Sequence, residues 1–575
     1  VFDVSTNHSL DTGSTVIVLT FKENRIMKFK YTAFALLGAS ILGSCDLNEK
    51  FYSSVTPETF ITTPENTYAI MSRPFTHWKW YLGNDRWYLQ ELTTDEMVCP
   101  TRGSDFYNNG EYIRLHEHTW TPTDRFIVNT YEGTTGGIAR ALEAYDDLSK
   151  VDYKTLGMTD ADKADQLNQL NSIIAYYYMK GLDYFGGMPI YRSNNDPVKA
   201  RSTAKETYNY IDSLLTDAIP KLKKKTTLGQ SEDGYIKQAA AAAMLAELKF
   251  NAISYIGEDH FAECAQICQD IINGVYGRYA LDATWGGPHN FDNDKSPEAI
   301  WNVPSANAKL EYKWYYRYFY HSNSPKYFNT SFPASCYNGF CLAPSRESAT
   351  SGVYTQWKLG SPFEKYENSD LRKQPYVYRG NGNYTGMFCT GIQTNPLTGE
   401  STKGIQDKAG QIINAVDYIN ADGRGSSMLN GSEESGIRLV KMPIPNNTDI
   451  SRLWDPDFPA IRLTEIYYML AECKWRAGDK AGAAQLINTV RKRNFTNGID
   501  PNPVPATFDI YRLADEWMIE FLGEGRRRTD LIRLGLWTTE DWWAHNATSD
   551  DNKKLFPIPS KDIQANPLLK QNPGY

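Results

Sequence analysis

Met244-Leu245-Ala246-Glu247-Leu248-Lys249-Phe250 and Met469-Leu470-Ala471-Glu472-Cys473-Lys474-Trp475 agree at five of seven positions, and each ends on an aromatic residue. Both heptads have helical character, and each is followed by a tight turn and a second helical stretch. After the first comes Gly257-Glu258-Asp259, then Phe261, Ala265, Cys268 and Ile272 along one predicted stripe. After the second comes Gly478-Asp479, then Ala483, Leu486, Ile487 and Val490. A helix with small residues, a turn and an Ala-rich partner helix describe a tetratricopeptide-like unit, which buries its face only by stacking on neighbours.

Outward from these copies the helical signal continues. Thr203-x-x-Glu206 is a capping box opening a helix whose inward face carries Tyr208, Ile211, Leu215, Ala218 and Ile219. Ala239 to Ala243 offer little side chain and let two helices approach closely. An earlier copy is expected around Ala175-Tyr176-Tyr177-Tyr178. The expected fold is mainly α, with helical-repeat scaffold at 60–275 and 456–575. Residues 276–455 interrupt it: they are rich in Gly, Pro, Asn, Ser and aromatics, with short strand-like pieces such as Ala299-Ile300-Trp301-Asn302-Val303. Loops of this extent in a compact body usually carry function.

A second signal lies near the start. Met27-Lys28-Phe29-Lys30, an apolar run over 31–42 and Leu42-Gly43-Ser44-Cys45 have the three parts of a secretory signal. The run is too short to span a bilayer, which takes about 20 residues. Leu-Gly-Ser-Cys resembles the lipobox of bacterial lipoproteins, which implies acylation of Cys45, an anchor held by two or more chains. On this reading Met27 starts the protein, 27–44 is its signal peptide, and residues 1–26 are upstream translation outside the fold.

Composition narrows the function. A net charge of −8 argues against a nucleic-acid partner, which needs clustered Lys and Arg to neutralise phosphates. The 38 Tyr, 14 Trp and 24 Phe form an aromatic excess suited to half-wet surfaces and to sugar faces. Cys264 and Cys268 read as apolar fillers. Cys336 and Cys341 are spaced to close a small disulfide loop if the compartment is oxidising. Asp95-Glu96 is a carboxylate pair, but neighbouring side chains diverge, and glycoside hydrolysis needs two carboxyls about 5 to 9.5 Å apart across a sugar. His116-x-His118 would put both rings on one side of a strand, yet no further ligand set accompanies it. Arg526-Arg527-Arg528 reads as a clamp on carboxylates such as Glu516, Glu520 and Asp530. No nucleophile elbow, phosphate loop, dinucleotide fingerprint or zincin motif occurs, so neither an enzyme nor a cofactor is expected.

The remaining motifs resemble one family. Ile461-Arg462-Leu463-Thr464-Glu465-Ile466-Tyr467, then Glu520-Phe521-Leu522-Gly523-Glu524-Gly525-Arg526-Arg527 with Asp530-Leu531-Ile532-Arg533, are similar to motifs of the SusD/RagB nutrient-binding lipoproteins. So are Leu555-Phe556-Pro557-Ile558-Pro559, the ending Gln571-Asn572-Pro573-Gly574-Tyr575, Gly186-Gly187-Met188-Pro189 and Glu91-Leu92-Thr93-Thr94-Asp95-Glu96. The resemblance covers 45–575 as a single unit. It implies four tetratricopeptide-like pairs wrapped by loops, a surface-exposed outer-membrane lipoprotein, an oligosaccharide ligand, and a SusC-like TonB-dependent β-barrel as partner. It implies no covalent chemistry.

Three segments are the expected binding surface: Trp80 with Arg86 and Trp87; the loop bearing Arg102, Asp105 and Tyr107; and Trp314, Tyr316 and Phe340 of the insert. The rings would stack on sugar faces, while Arg86, Arg102 and Asp105 would hydrogen-bond hydroxyls. Each of these residues also has a packing reading. The 99–107 loop lacks the tryptophan that starch-binding members can present, which argues against starch. A peptide ligand, or a scaffold with only protein partners, is the alternative.

Overall fold

The computed structural model describes residues 57–83, 85–231, 233–305, 318–329, 336–395, 406, 410, 412–420, 423–444, 446 and 456–575. The expected leader, Cys45, Trp314 and Tyr316 lie outside the described residues.

The scaffold helices are α1 (Arg73–Gly83), α2 (Asp85–Glu91), α3 (Arg125–Ser149), α4 (Asp160–Phe185), α5 (Ala204–Ala218), α6 (Gln238–Phe250), α7 (Phe261–Ile272), α8 (Leu463–Arg476), α9 (Lys480–Arg491), α10 (Ile510–Phe521), α11 (Arg527–Arg533) and α12 (Ser560–Ala565). Their starts follow from local chemistry. Thr203 accepts from Glu206 N and the Glu206 carboxylate accepts from Thr203 N, which closes the expected capping box. Asp479 caps α9 by accepting from Gly482 N at 2.8 Å.

From α3 to α9 each helix packs on the next in chain order. Close approach needs small residues at the contacts. At Gly137 of α3 an added Cβ would overlap the Tyr177 ring of α4. Ala239 to Ala243 are all buried in α6. The heptad copies lie on α6 and α8, and both helices pack against α7. The chain therefore leaves the stack after α7 and re-enters at α8, which takes the place of the next repeat. The inward stripe of α7 is Phe261, Cys264, Cys268 and Ile271, with Ala265 and Ile272 at its edge.

The insert is tied down by short antiparallel pairs. Ala299–Val303 pairs with Phe458–Arg462, Met97–Val98 with Cys341–Leu342, and Phe388–Cys389 with Arg438–Leu439. Beneath them lies a buried ionic hub. Glu520 on α10 binds Arg462, Arg372 and Arg493 at 2.8, 2.9 and 3.1 Å. Glu298 of the insert binds Arg462 and Arg493, and Glu524 binds Arg462 and Lys441. Arg372 and Lys441 belong to the insert, so the hub joins it to the scaffold.

Three expectations change. The arginine run clamps partners more distant in sequence than expected: Arg526 holds Asp530 and Glu465, Arg527 holds Asp95, and Arg528 holds Asp183, whereas Glu516 takes Arg491 and Arg512. The reason is tertiary: the turn after α2, the end of α4 and the start of α8 bring Asp95, Asp183 and Glu465 to α11 and the arginine that precedes it. No disulfide joins Cys336 and Cys341, and the seven described cysteines are all buried. His116 and His118 sit on no strand. His116 ends the helix Glu111–His116 and His118 takes a left-handed backbone at φ 57°. Among the described residues no helix is long and apolar enough to cross a membrane.

Candidate functional site

The candidate site grows from the loop at 102–110 where it meets 318–320 and 336–340. Arg102 N donates to Asp105 O and Asp105 N to Arg102 O, both at 2.9 Å, which closes a tight turn. Beyond it Phe106, Asn108, Asn109 and Gly110 all have positive φ. For a bulky residue such as Phe106 (φ 64°) that backbone is strained, and strain of this kind concentrates at functional sites. Packing holds it there. The Phe106 ring lies over Gly339, where a Cβ would come within 2.7 Å of it.

Opposite the loop, Asn338 N donates to Tyr320 O and Gly339 N to Tyr318 O, at 2.9 and 2.7 Å, which sets two segments side by side. Their rings form a ladder from core to solvent. Trp87 and Phe340 stack at 5.4 Å and 26°, Phe340 and Tyr318 at 5.0 Å and 14°, and Tyr318 meets Tyr337 at 5.2 Å and 58°. Trp87 and Phe340 are fully buried, Tyr318 is half-buried, and Tyr337 is 41% exposed. Tyr107, across the strained loop, is 51% exposed.

Polar groups rim this ladder. Asn338 Nδ2 donates to Glu433 Oε2 at 3.0 Å, and His321 Nε2 lies 2.8 Å from the same oxygen. The hydrogen bond with His321 holds the Glu433 carboxyl below the usual carboxylate range against partial burial. Behind it the Arg438 guanidinium donates to Asn338 Oδ1 at 2.7 Å, and burial and then the Arg102 charge lower its pKa to about 10. The surface thus pairs exposed ring faces with a carboxylate and amide held in place, which suits a ligand with apolar faces and a hydroxyl rim.

The expected residues divide by burial. Tyr107 and Asp105 are exposed on this surface. Phe340 and Trp87 are its buried footing, with Trp87 Nε1 donating to Gly523 O at 2.9 Å. Arg86 is buried and donates to Gly525 O, and Arg102 is buried with its guanidinium on Ser432 O and Ser435 O. These four side chains brace the site from behind, because burial removes them from a ligand in solvent. Trp80 lies apart, exposed, against His77 and Gly133 of α3. Tyr318 and Tyr337 were not among the expected contacts, although they belong to the same aromatic stretches, 314–318 and 337–340, as the expected Tyr316 and Phe340. Glu433 and His321 carry no local signal, since only the fold brings them to Asn338.

The carboxylate pair is no catalytic dyad. Asp95 and Glu96 are fully buried. Burial raises the Asp95 pKa, but the bidentate Arg527, at 2.8 Å to both oxygens, outweighs it and holds the carboxyl ionised. Burial, with the charge of Glu91, pushes Glu96 well up. Neither is available to substrate.

Residues 297–575 match the model of the SusD family. The chain is 28% identical over 520 residues to the starch-binding protein SusD of Bacteroides thetaiotaomicron, covering 84% of each. It also superposes on surface glycan-binding protein A from Bacteroides thetaiotaomicron, solved in complex with laminarihexaose, with a TM-score of 0.63 at 17% identity over 89% of this chain and 100% of that one. A SusD superfamily protein from Parabacteroides distasonis gives 0.64 at 16% identity over 91% and 100%. The fold shared with these structures is mainly helical with short strands.

Proposed function

We propose that this chain is a glycan-binding protein of the cell envelope, tethered through acylated Cys45, that captures oligosaccharide and delivers it to a SusC-like TonB-dependent barrel. One observation carries the reading: the ring ladder ends in Tyr318 and Tyr337 beside the strained loop that presents Tyr107. Sugar C–H faces would stack on these rings, while Asp105 and Glu433 would accept from hydroxyls. Trp314 and Tyr316 are proposed to extend the platform. Trp87, Phe340, Arg86 and Arg102 keep it rigid, so little ordering cost is left for binding. One relative named for starch binding, and a structural neighbour solved with laminarihexaose, support a glycan as the ligand class.

Titration calorimetry against a panel of soluble oligosaccharides tests the proposal. At least one glycan binds the wild-type protein, and Tyr337→Ala weakens it about tenfold or more, equivalent to about 1.4 kcal/mol. Tyr337 is exposed, so the variant keeps the wild-type melting temperature. Binding unaffected by both Tyr337→Ala and Tyr107→Ala would place the site elsewhere, and affinity for peptides alone would replace the glycan. Mass spectrometry of native protein checks Cys45, and co-purification checks the barrel.

A further inference from the structure

A cavity of about 120 Å³ lies inside the insert, where residues 327–329, 375–378 and 388–395 meet Asn446. Two antiparallel pairs frame it, Val377–Gly380 with Asn383–Thr385 and Gly391–Ile392 with Asn414–Ala415. Its rings are fixed before any ligand arrives. Tyr376 Oη donates to Ile444 O at 2.8 Å and accepts from Ile444 N at 2.7 Å, and Tyr378 Oη accepts from Gly382 N at 2.9 Å. Phe328 meets Tyr327 at 4.6 Å and 64°, and Tyr376 at 5.7 Å and 80°, so the three rings form a corner.

The lining carries no charge. Among the described residues no Asp, Glu, Lys, Arg or His borders the cavity, although 22% of the chain is charged. Its polar groups are amides and hydroxyls. Gln393 Nε2 donates to Thr390 O and Gly391 O, which leaves Oε1 as an acceptor at the wall. The side-chain hydroxyls of Thr390 and Thr394, both half-buried, have no partner among the described residues. A charged ligand would lose its hydration here without meeting a counter-charge. A wholly apolar one would leave these amides and hydroxyls without hydrogen bonds. What fits both walls is a neutral ligand with C–H faces for the rings and hydroxyls for the amides.

We propose that this pocket is a second binding site, which seats one neutral sugar ring in the corner of Tyr327, Phe328 and Tyr376 with its hydroxyls on Gln393 and Thr394. The volume is well below the roughly 300–1,000 Å³ of whole small-molecule sites, so it takes a single ring and no oligosaccharide. The site shares no residue with the ring ladder and does not depend on ligand binding there.

Ligand-observed NMR titration of the Tyr107→Ala/Tyr337→Ala double variant, which removes both exposed rings of the first surface, tests it. The probes are the methyl glycosides of glucose, galactose and xylose, with those of glucuronate and galacturonate as charged counterparts. At least one neutral glycoside should bind, and the uronates should bind about tenfold more weakly or not at all. Gln393→Ala and Thr394→Glu, added to the double variant, should each abolish binding of the neutral glycoside. No binding of any neutral glycoside to the double variant, equal binding of the uronates, or binding that survives both pocket substitutions would each overturn the proposal. Sugar binding lost entirely in the double variant would leave the first surface standing and remove this site. The comparison of neutral and charged glycosides uses no pocket substitution, so it decides even if Gln393→Ala and Thr394→Glu fail to fold.

Discussion

Glu520→Ala attacks the ionic hub at its centre. The Glu520 carboxylate is 5% exposed and meets three guanidiniums within 3.1 Å. Burial opposes its charge, but Arg462, Arg493 and Arg372 hold its pKa far below the usual range, so it is ionised at any working pH. Removing one partner of a buried ion pair costs about 3–5 kcal/mol, because the remaining charge is left without compensation. Three such losses do not add here. Arg372 keeps Asp370, Arg462 keeps Glu524, and Arg493 keeps Glu298. The expected cost therefore stays near the single-pair figure. With an unfolding entropy of about 2.1 cal/mol/K per residue, a body of about 520 residues unfolding cooperatively loses about 3–5 °C in Tm. Lys205–Glu258 is the control, with side chains 45% and 46% exposed. An ion pair this exposed contributes little, and Glu258→Ala shifts Tm by about 1 °C or less. Differential scanning calorimetry at pH 7 measures both. A Glu520→Ala shift no larger than that of Glu258→Ala would refute the claim that this hub binds insert to scaffold.

Burial lowers the pKa of His545 to about 3 and of His116 to about 4, below the ordinary 6.5. The unfolded chain then binds more protons below pH 6.5, so these rings lose stability as pH falls from about 6.5 towards 4, by up to about 1.4 kcal/mol per unit each. Asp417 and Asp515, raised by burial to about 7 and about 6, act in the opposite direction, so the test is a difference: His545→Gln flattens the fall in Tm between pH 6.5 and 4.5 relative to wild type. Gly137→Ala should lower Tm despite the better helix propensity of alanine, about 1 kcal/mol, because the new methyl overlaps the Tyr177 ring; thermal melts decide the sign. The seven described cysteines should react with a thiol reagent only after denaturation, and reductant should leave Tm unchanged.

Local pattern alone determined the scaffold. The MLAE heptads, the Thr203 box, the alanine run and Asp479 state helix, cap and close contact within a few residues, and the folded chain uses each as such. The family motifs were equally legible, since they are contiguous. What local pattern left undecided is which aromatic and charged residues face solvent. Trp87, Phe340, Arg86 and Arg102 look in sequence like Tyr107 and Asp105, yet the first four are buried and the last two are not. Burial is set by what packs on top. Gly339 meets Phe106, and Ser432 and Ser435 meet Arg102, across hundreds of residues of chain. The same holds for Arg527 with Asp95. Short-range periodicity encodes a helix face because neighbours three and four residues apart share it. A binding surface depends on side chains brought together from distant segments, and only their packing decides which remain exposed.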